Sequence, residues 1–161
     1  MAKMSYKGLD EFASKISSMT DRSEGVFKQG VYQGMSVIVK AVAAEIDKLP
    51  VAEEHGTPEK PIKTINAKQK KGLKEGLGIA KIRNDGGVVN TRTGFDGYNG
   101  IKTEKFPNGQ PNALIARAVI SGTSFRSKND FIRRAMSASK AESIRAAGAE
   151  MDKAIKETME G

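Results

Sequence analysis

The chain has 161 residues, enough for one domain with a modest core; 38% are hydrophobic but only 6% aromatic and none is Trp, so that core must be built from Ile, Val, Leu, Ala and Met. The absence of cysteine excludes disulfides, thiolate catalysis and cysteine-ligated metals. With 27 basic against 19 acidic residues the net charge is +8, which favours nucleic acid or an acidic protein surface as a partner without choosing between them.

The opening MAKMSYKGLDEFASK has neither the apolar core nor the small-residue cleavage pattern of a signal peptide. No apolar run approaches the roughly 20 residues of a membrane span. Both features predict a protein that stays in the compartment where it is made, with no membrane partner.

Residues 8 to 19 place Leu9, Phe12, Ile16 and Met19 at helical spacing and predict a first amphipathic helix. Thr20, Asp21 and Ser23, with Glu24 three positions after Asp21, read as caps that start a second, longer helix from about 21 to 49. Its expected apolar stripe is Phe27, Val31, Met35, Ile38, Val42, Ile46 and Leu49, with Val26, Gly30, Val37 and Ala41 beside it; Gly25, Gly30 and Gly34 either cost helix propensity or permit close packing against a neighbour, within the molecule or in another copy, and Pro50 ends it. Residues 50 to 62 hold three of the five prolines and the only histidine, and read as a loop.

The next segment is rich in lysine: Lys63, Lys68, Lys70, Lys71 and Lys74. It reads either as a solvated basic face or as a contact for DNA phosphates or an acidic partner. No aromatic residue interleaves with these lysines, so base stacking has no platform there. Asp85-Gly86-Gly87, between an apolar run that includes Leu77 and Ile79 and the pair Val88-Val89, predicts a hairpin.

From 94 to 112 glycine, proline and asparagine predict a long, flexible loop excursion, with a short strand at Ile101 to Phe106. ALIARAVIS reads as a short helix in preference to a strand. A last helix, capped by Asn129 or Asp130, is expected to run to about 159, with a bend near 138 at Ser137 and Ser139. Its stripe is Ile144, Gly148, Met151, Ile155 and Met159. The whole predicts one α+β domain spanning residues 1–161, a small antiparallel sheet packed against a long helix of the N-terminal half and a C-terminal helix.

The chain offers little for chemistry. His55 stands alone beside Glu53 and Glu54, too few ligands for a metal. GFDGYNGIKT at 94 to 103 has five residues between Gly94 and Gly100, and Ile101 before Lys102, so it is no phosphate loop. Ser121 and Ser124 have only His55 as a base and no nucleophile elbow. The acid pairs Asp10-Glu11 and Glu53-Glu54 lack the apolar surroundings that separate acid from base. No enzyme activity, no cofactor and no metal are expected.

One stretch stands out, SGTSFRSKNDFIRRAM at 121 to 136. A Gly-Thr-Ser turn ends an apolar run, and a polar segment leads to Phe-Ile-Arg at the start of the last helix. With Gly8-Leu9-Asp10-Glu11-Phe12 at the front, a long amphipathic helix, and Lys71-Gly72-Leu73-Lys74 before the first strand, this order resembles the neck and tail-completion proteins of long-tailed double-stranded DNA bacteriophages. The residues that match are Gly122, Thr123, Ser124, Phe131, Ile132, Arg133 and Ala135. The sequence departs from the pattern at Ser121, where the family carries Glu, at Asp130 and Arg134, where it carries prolines, and in the longer 94 to 112 excursion.

The resemblance implies a virion structural protein at the neck or head-proximal end of the tail, a tail terminator or head-tail joining subunit present in host cytoplasm during assembly. It implies a homo-oligomeric ring, commonly of six copies, touching the tail-tube protein and the head-completion or connector proteins, with genomic DNA passing through its centre. The seven matching residues would then form a structural clasp or ring interface. The alternative from another class is a small basic DNA-binding protein.

Overall fold

The computed structural model describes residues 7–160. Two long helices dominate it, α1 (Lys7–Asp47) and α4 (Phe131–Glu160). Between them in sequence lie α2 (Ala67–Gly76), strands β1 (Leu77–Ile79), β2 (Arg83–Asp85), β3 (Val88–Asn90) and β4 (Thr93–Phe95), and α3 (Asn112–Ser121). The fold is α+β, as the order of periodic segments predicts.

Residues 7 to 47 form one helix, not the two that the polar TDRSE segment suggests. A step of seven from Met19 to Val26, then four to Gly30, keeps the apolar face in phase through that segment. Glu24 forms an i,i+4 pair with Lys28 in place of a capping contact. The side chains of Leu9, Phe12, Met19, Thr20 and Asp21 lie outside the described ones.

Helices α1 and α4 run antiparallel. A Cβ added at Gly30 would strike Met151, and one at Gly34 would sit 3.0 Å from the Ser143 carbonyl oxygen. The two glycines therefore let the backbones close up, and Ser143 Oγ donates to the Gly34 carbonyl at 2.8 Å across the contact. This shifts the buried face of α1 from the expected stripe. Val26, Gly30 and Gly34 face α4, while Phe27 is half exposed. The partner face of α4 is Ser143, Ala147 and Met151, and the expected stripe residue Ile144 points to solvent at 63% exposure.

No bend occurs at 138. Ser139 Oγ donates back to the Ala135 carbonyl at 2.8 Å, which satisfies a buried hydroxyl inside an unbroken helix. Thr158 shares a shallow recess with Arg22, so α1 begins about four turns before the point where α4 ends.

The four strands make one irregular hairpin. β1 pairs with β4 in the register Leu77–Phe95, and β2 with β3 in the register Arg83–Asn90. Three residues, 80–82, therefore face two, 91–92, and Thr91 Oγ1 donates to the Ala80 carbonyl at this bulge. Gly86 and Gly87 close the turn with φ of 63° and 90°, the positive pair that a tight two-residue turn requires.

The 94 to 112 excursion contains no strand at 101 to 106, only a single bridge between Thr103 and Phe106. It folds back on itself: the Asn99 amide donates to the Gln110 carbonyl at 3.0 Å, and the Asn112 amide to the Gly97 carbonyl at 3.0 Å. Asn99 and Asn112 are buried against α2, where a Cβ at Gly72 would overlap both side chains. The Gly72-Leu73 pair thus belongs to a helix, with Leu73 in the core and Gly72 at the loop joint.

The core lies at one end of the helix pair. Val42, Ile46 and Leu49 of α1 meet Ile65, Leu73 of α2, Ile115, Ala116 and Val119 of α3, and Phe131 and Ala135 of α4. Charge follows the same division. Residues 48–134 carry 17 basic and 8 acidic residues, while the rest of the chain carries 10 and 11. The entire positive excess belongs to the globular head and none to the helical rod.

Candidate functional site

The clasp segment is built around two anchors. Gly122 ends α3 at φ 74°, where a Cβ would come within 3.1 Å of the Arg126 carbonyl oxygen. Thr123 and Arg126 then exchange backbone hydrogen bonds of 2.8 and 3.2 Å, closing a tight turn with Ser124 exposed at its tip. Downstream, Phe131 is fully buried, and its ring lies 6.3 Å from that of Phe95 on β4, tilted by 59°. This fastens the start of α4 to the hairpin.

The other matching residues divide between inside and outside. Ala135 is buried, and Ile132 is half buried beside the core. Arg133 is exposed and pairs with Asp130 at 2.9 Å. Arg134, at a departure from the family pattern, bridges to Glu45 of α1 at 2.8 Å. Lys48 and then Arg134 hold the Glu45 carboxyl below its ordinary value.

Arg126 is the residue that sequence reasoning missed. Its guanidinium donates to the Thr64 carbonyl and, at 3.3 Å, to Gln69 Oε1. The neighbouring backbones join in a short parallel bridge, with the Ile62 amide on the Phe125 carbonyl and the Ser127 amide on the Ile62 carbonyl. Gln69 also accepts from the Asn66 amide in the capping box of α2. Burial pulls the Arg126 guanidinium below its ordinary value, yet it stays charged at neutral pH. The only cue in the sequence is one arginine in a polar run, and such a residue is normally solvated.

These loops surround a polar cleft of about 750 Å³, lined by Glu53, Glu54, His55, Lys68, Gln110 and Arg126 among others. Opposing charges balance in it, and Glu53 is engaged by Asn66 Nδ2. Among the described residues no group of three or more His, Asp or Glu could hold a metal ion.

The predicted lysine face is largely occupied by internal work. Lys70 Nζ donates to the carbonyls of Asp47 and Leu49 at 2.8 and 2.9 Å, satisfying the open C-terminal end of α1. Lys74 pairs with Asp47 at 2.7 Å, and Lys71 faces Glu75 at 3.7 Å. Lys63 and Lys68 project to solvent. The five lysines therefore lie on one region of the head, but only two present uncommitted charge.

A second recess on the head is apolar. It is a groove of about 550 Å³ between α1, the hairpin, α3 and α4, with Met35, Ile38, Ile120, Ile132 and Met136 on its walls. Its only charged lining residues are Arg92 and Arg117, and Arg92 also borders a shallower recess with Lys81 and Arg83. None of these four cations forms an ion pair among the described residues. Nearby, Asp85 accepts a hydrogen bond from Asn90, and Glu24 of α1, paired with Lys28, also reaches Asn84 of the hairpin. An apolar trough with a cationic border is the kind of exposed patch that marks interaction surfaces in general.

No family model, curated protein or solved structure matches this chain.

Proposed function

We propose that the chain is a structural subunit of a long-tailed phage virion, placed at the neck or head-proximal end of the tail and assembling with copies of itself into a ring. The reading rests on the order of elements and the Gly-Thr-Ser to Phe-Ile-Arg segment, which resemble the neck and tail-completion proteins. The observation that carries it is the exposed apolar groove with Met35, Ile120, Ile132 and Met136 on its walls. A small chain that leaves such a trough open gains by covering it in an assembly.

In this reading the clasp is intramolecular architecture. Phe131 and Ala135 fix the root of α4, and Ile132 turns toward the groove. A head rigidified in this way presents fixed contacts to its ring neighbours, to the tail-tube protein and to the head-completion or connector proteins. The positive excess of residues 48–134 suits a ring through which genomic DNA passes.

The test is native mass by light scattering over rising concentration, with and without duplex DNA. A closed oligomer that forms without DNA is the expected result. A monomer that binds duplex DNA with affinity falling by several decades as salt rises would overturn it in favour of a DNA-binding protein. The two solvated lysines, Lys63 and Lys68, are then the first residues to replace.

A further inference from the structure

The groove has a backbone edge as well as apolar walls. β4 is paired on one side only, with β1. The Asp96 amide donates to the Gly76 carbonyl at 2.8 Å and the Ala80 amide to the Arg92 carbonyl at 2.7 Å, so in the Gly78–Gly94 register the even-numbered residues carry the ladder. The amides and carbonyls of Thr93 and Phe95 therefore point to the other edge, where no backbone hydrogen bond reaches them among the described residues. Thr91, Arg92, Thr93, Gly94 and Phe95 all line the groove. A strand showing only a face would contribute alternate residues, so β4 turns its open edge into the groove.

An open edge beside an apolar trough suits an extended segment, whose main chain pairs with the strand while alternate side chains enter the trough. A helix satisfies its own backbone and would leave Thr93 and Phe95 unpaired. Thr93 and Phe95 are half-buried, while Arg92 and Gly94 are exposed on the other face. An added strand that buries one alternate set of side chains thus presents the other set beside Arg92.

The border sets the charge of that second set. Arg92 and Arg117 line the groove, Lys81 and Arg83 lie in the next recess, and none of the four forms an ion pair among the described residues. Asp85 and Glu24 nearby are taken up by Asn90 and Lys28. A further copy is a poor match, because its head brings 17 basic against 8 acidic residues.

We propose that the groove accepts an extended, acidic segment of a different protein, which adds a strand to the outer edge of β4. Its main chain bonds Thr93 and Phe95, its apolar side chains lie against Met35, Ile120 and Met136, and its carboxylates meet Arg92 and Arg117. The two methionines, unbranched and adaptable, let the walls close on apolar side chains of different shape. The inference rests on the reading above that the groove is covered in an assembly, and it assigns the cover to a neighbouring protein in place of another copy.

The probe is a capped, fluorescent hexapeptide alternating valine and glutamate, titrated against the full chain by anisotropy. It is expected to bind at least tenfold more tightly than the same peptide with lysine for glutamate. Arg92→Glu with Arg117→Glu, both exposed positions, should reverse that preference, and Met136→Glu should weaken the glutamate peptide. Circular dichroism first confirms that the variants fold. N-methylating one alternate set of peptide amides should abolish binding, and N-methylating the other set should be tolerated, because only one set faces β4.

Equal affinity for the two charges, or an equal response to the two methylations, would overturn the inference. Native mass on the same samples keeps it distinct from the ring reading. An oligomer that persists while no peptide binds sinks the strand site and leaves the ring standing. An oligomer that Met136→Glu disperses marks another copy as the occupant and refutes the assignment to a different protein. A monomer that binds the glutamate peptide in the expected pattern upholds the strand site while the ring reading falls.

Discussion

Arg134 Nε donates to Glu45 Oε2 at 2.8 Å, tying the first turn of α4 to the last turns of α1 where the two helices enter the core. Lys48 donates to the other oxygen of the same carboxylate. The pair sits at the junction of rod and head, so its strength sets how firmly the helices are rooted. Glu45 is 9% exposed while the Arg134 side chain is half exposed, so water screens the interaction from one side.

That geometry gives a pH dependence with a definite sign. The folded Glu45 carboxyl titrates below its ordinary value of 4.5, as Asp47 does below 3.8 through Lys74. The folded state therefore binds fewer protons than the unfolded chain in the acid range. The stabilisation is complete above the ordinary carboxylate values and is lost as pH falls through the folded ones. Thermal midpoints measured from pH 6 down to pH 3 should drop, and Glu45→Gln should lower the pH 6 midpoint while flattening part of that drop. An unchanged slope in the variant would show that other carboxylates carry the effect.

Phe131 is the side chain on which the clasp depends. It is fully buried, touches Phe95 across the hairpin and opens α4. Phe131→Ala should cost about 3–5 kcal/mol by urea denaturation, a large share of the 5–15 kcal/mol typical of a domain. Arg133→Ala, two residues on and exposed, should change stability by less than about 0.5 kcal/mol. Equal effects at the two positions would contradict the division of the segment into a buried anchor and a solvent side.

The glycines of α1 predict opposite signs along one helix. A Cβ at Gly25 meets nothing within 4 Å, so Gly25→Ala should stabilise by roughly 0.5–1 kcal/mol through helix propensity. At Gly34 the same methyl would lie 3.0 Å from the Ser143 carbonyl oxygen and 3.1 Å from Ala147 Cβ. Gly34→Ala must push the two helices apart and should destabilise despite the better propensity. Denaturant midpoints for the two variants decide it, and a gain at both would mean that the helices separate at no cost.

Much of this architecture was legible in the sequence, and the failures share a cause. The hairpin turn, the loop at 50 to 62, the short helix α3 and the extent of α4 follow from turn chemistry and period. The division of α1 and the bend in α4 were misread because Thr, Asp and Ser compete for backbone bonds only when the helix is not held by a partner. The stripe was placed one residue off at Phe27 and Ile144 because hydropathy favours large side chains. The α1–α4 contact is made by Gly30 and Gly34, which the sequence offers as a close-packing face, and by Ser143 and Ala147, which no hydrophobic scale ranks highly. The groove joins Met35 to Met136, and the cleft joins Arg126 to Thr64, 62 residues away in sequence, and a single sequence holds no record of such meetings.

Lys70 separates structural from binding roles in the lysine face. Its ammonium closes the C-terminal carbonyls of α1 at Asp47 and Leu49, where the helix dipole also favours a cation. Lys70→Met keeps most of the apolar stem and removes the donors, so it should lower stability by about 1 kcal/mol. Lys68→Met removes an exposed charge that lines the polar cleft and should leave stability within about 0.5 kcal/mol. Urea melts of both variants, paired with duplex-DNA titrations at low salt, separate the two roles. If Lys68→Met weakens DNA binding while Lys70→Met does not, the solvated lysines are a phosphate contact. If neither moves it, the segment serves the fold, and the positive excess of the head has its partner elsewhere on the surface.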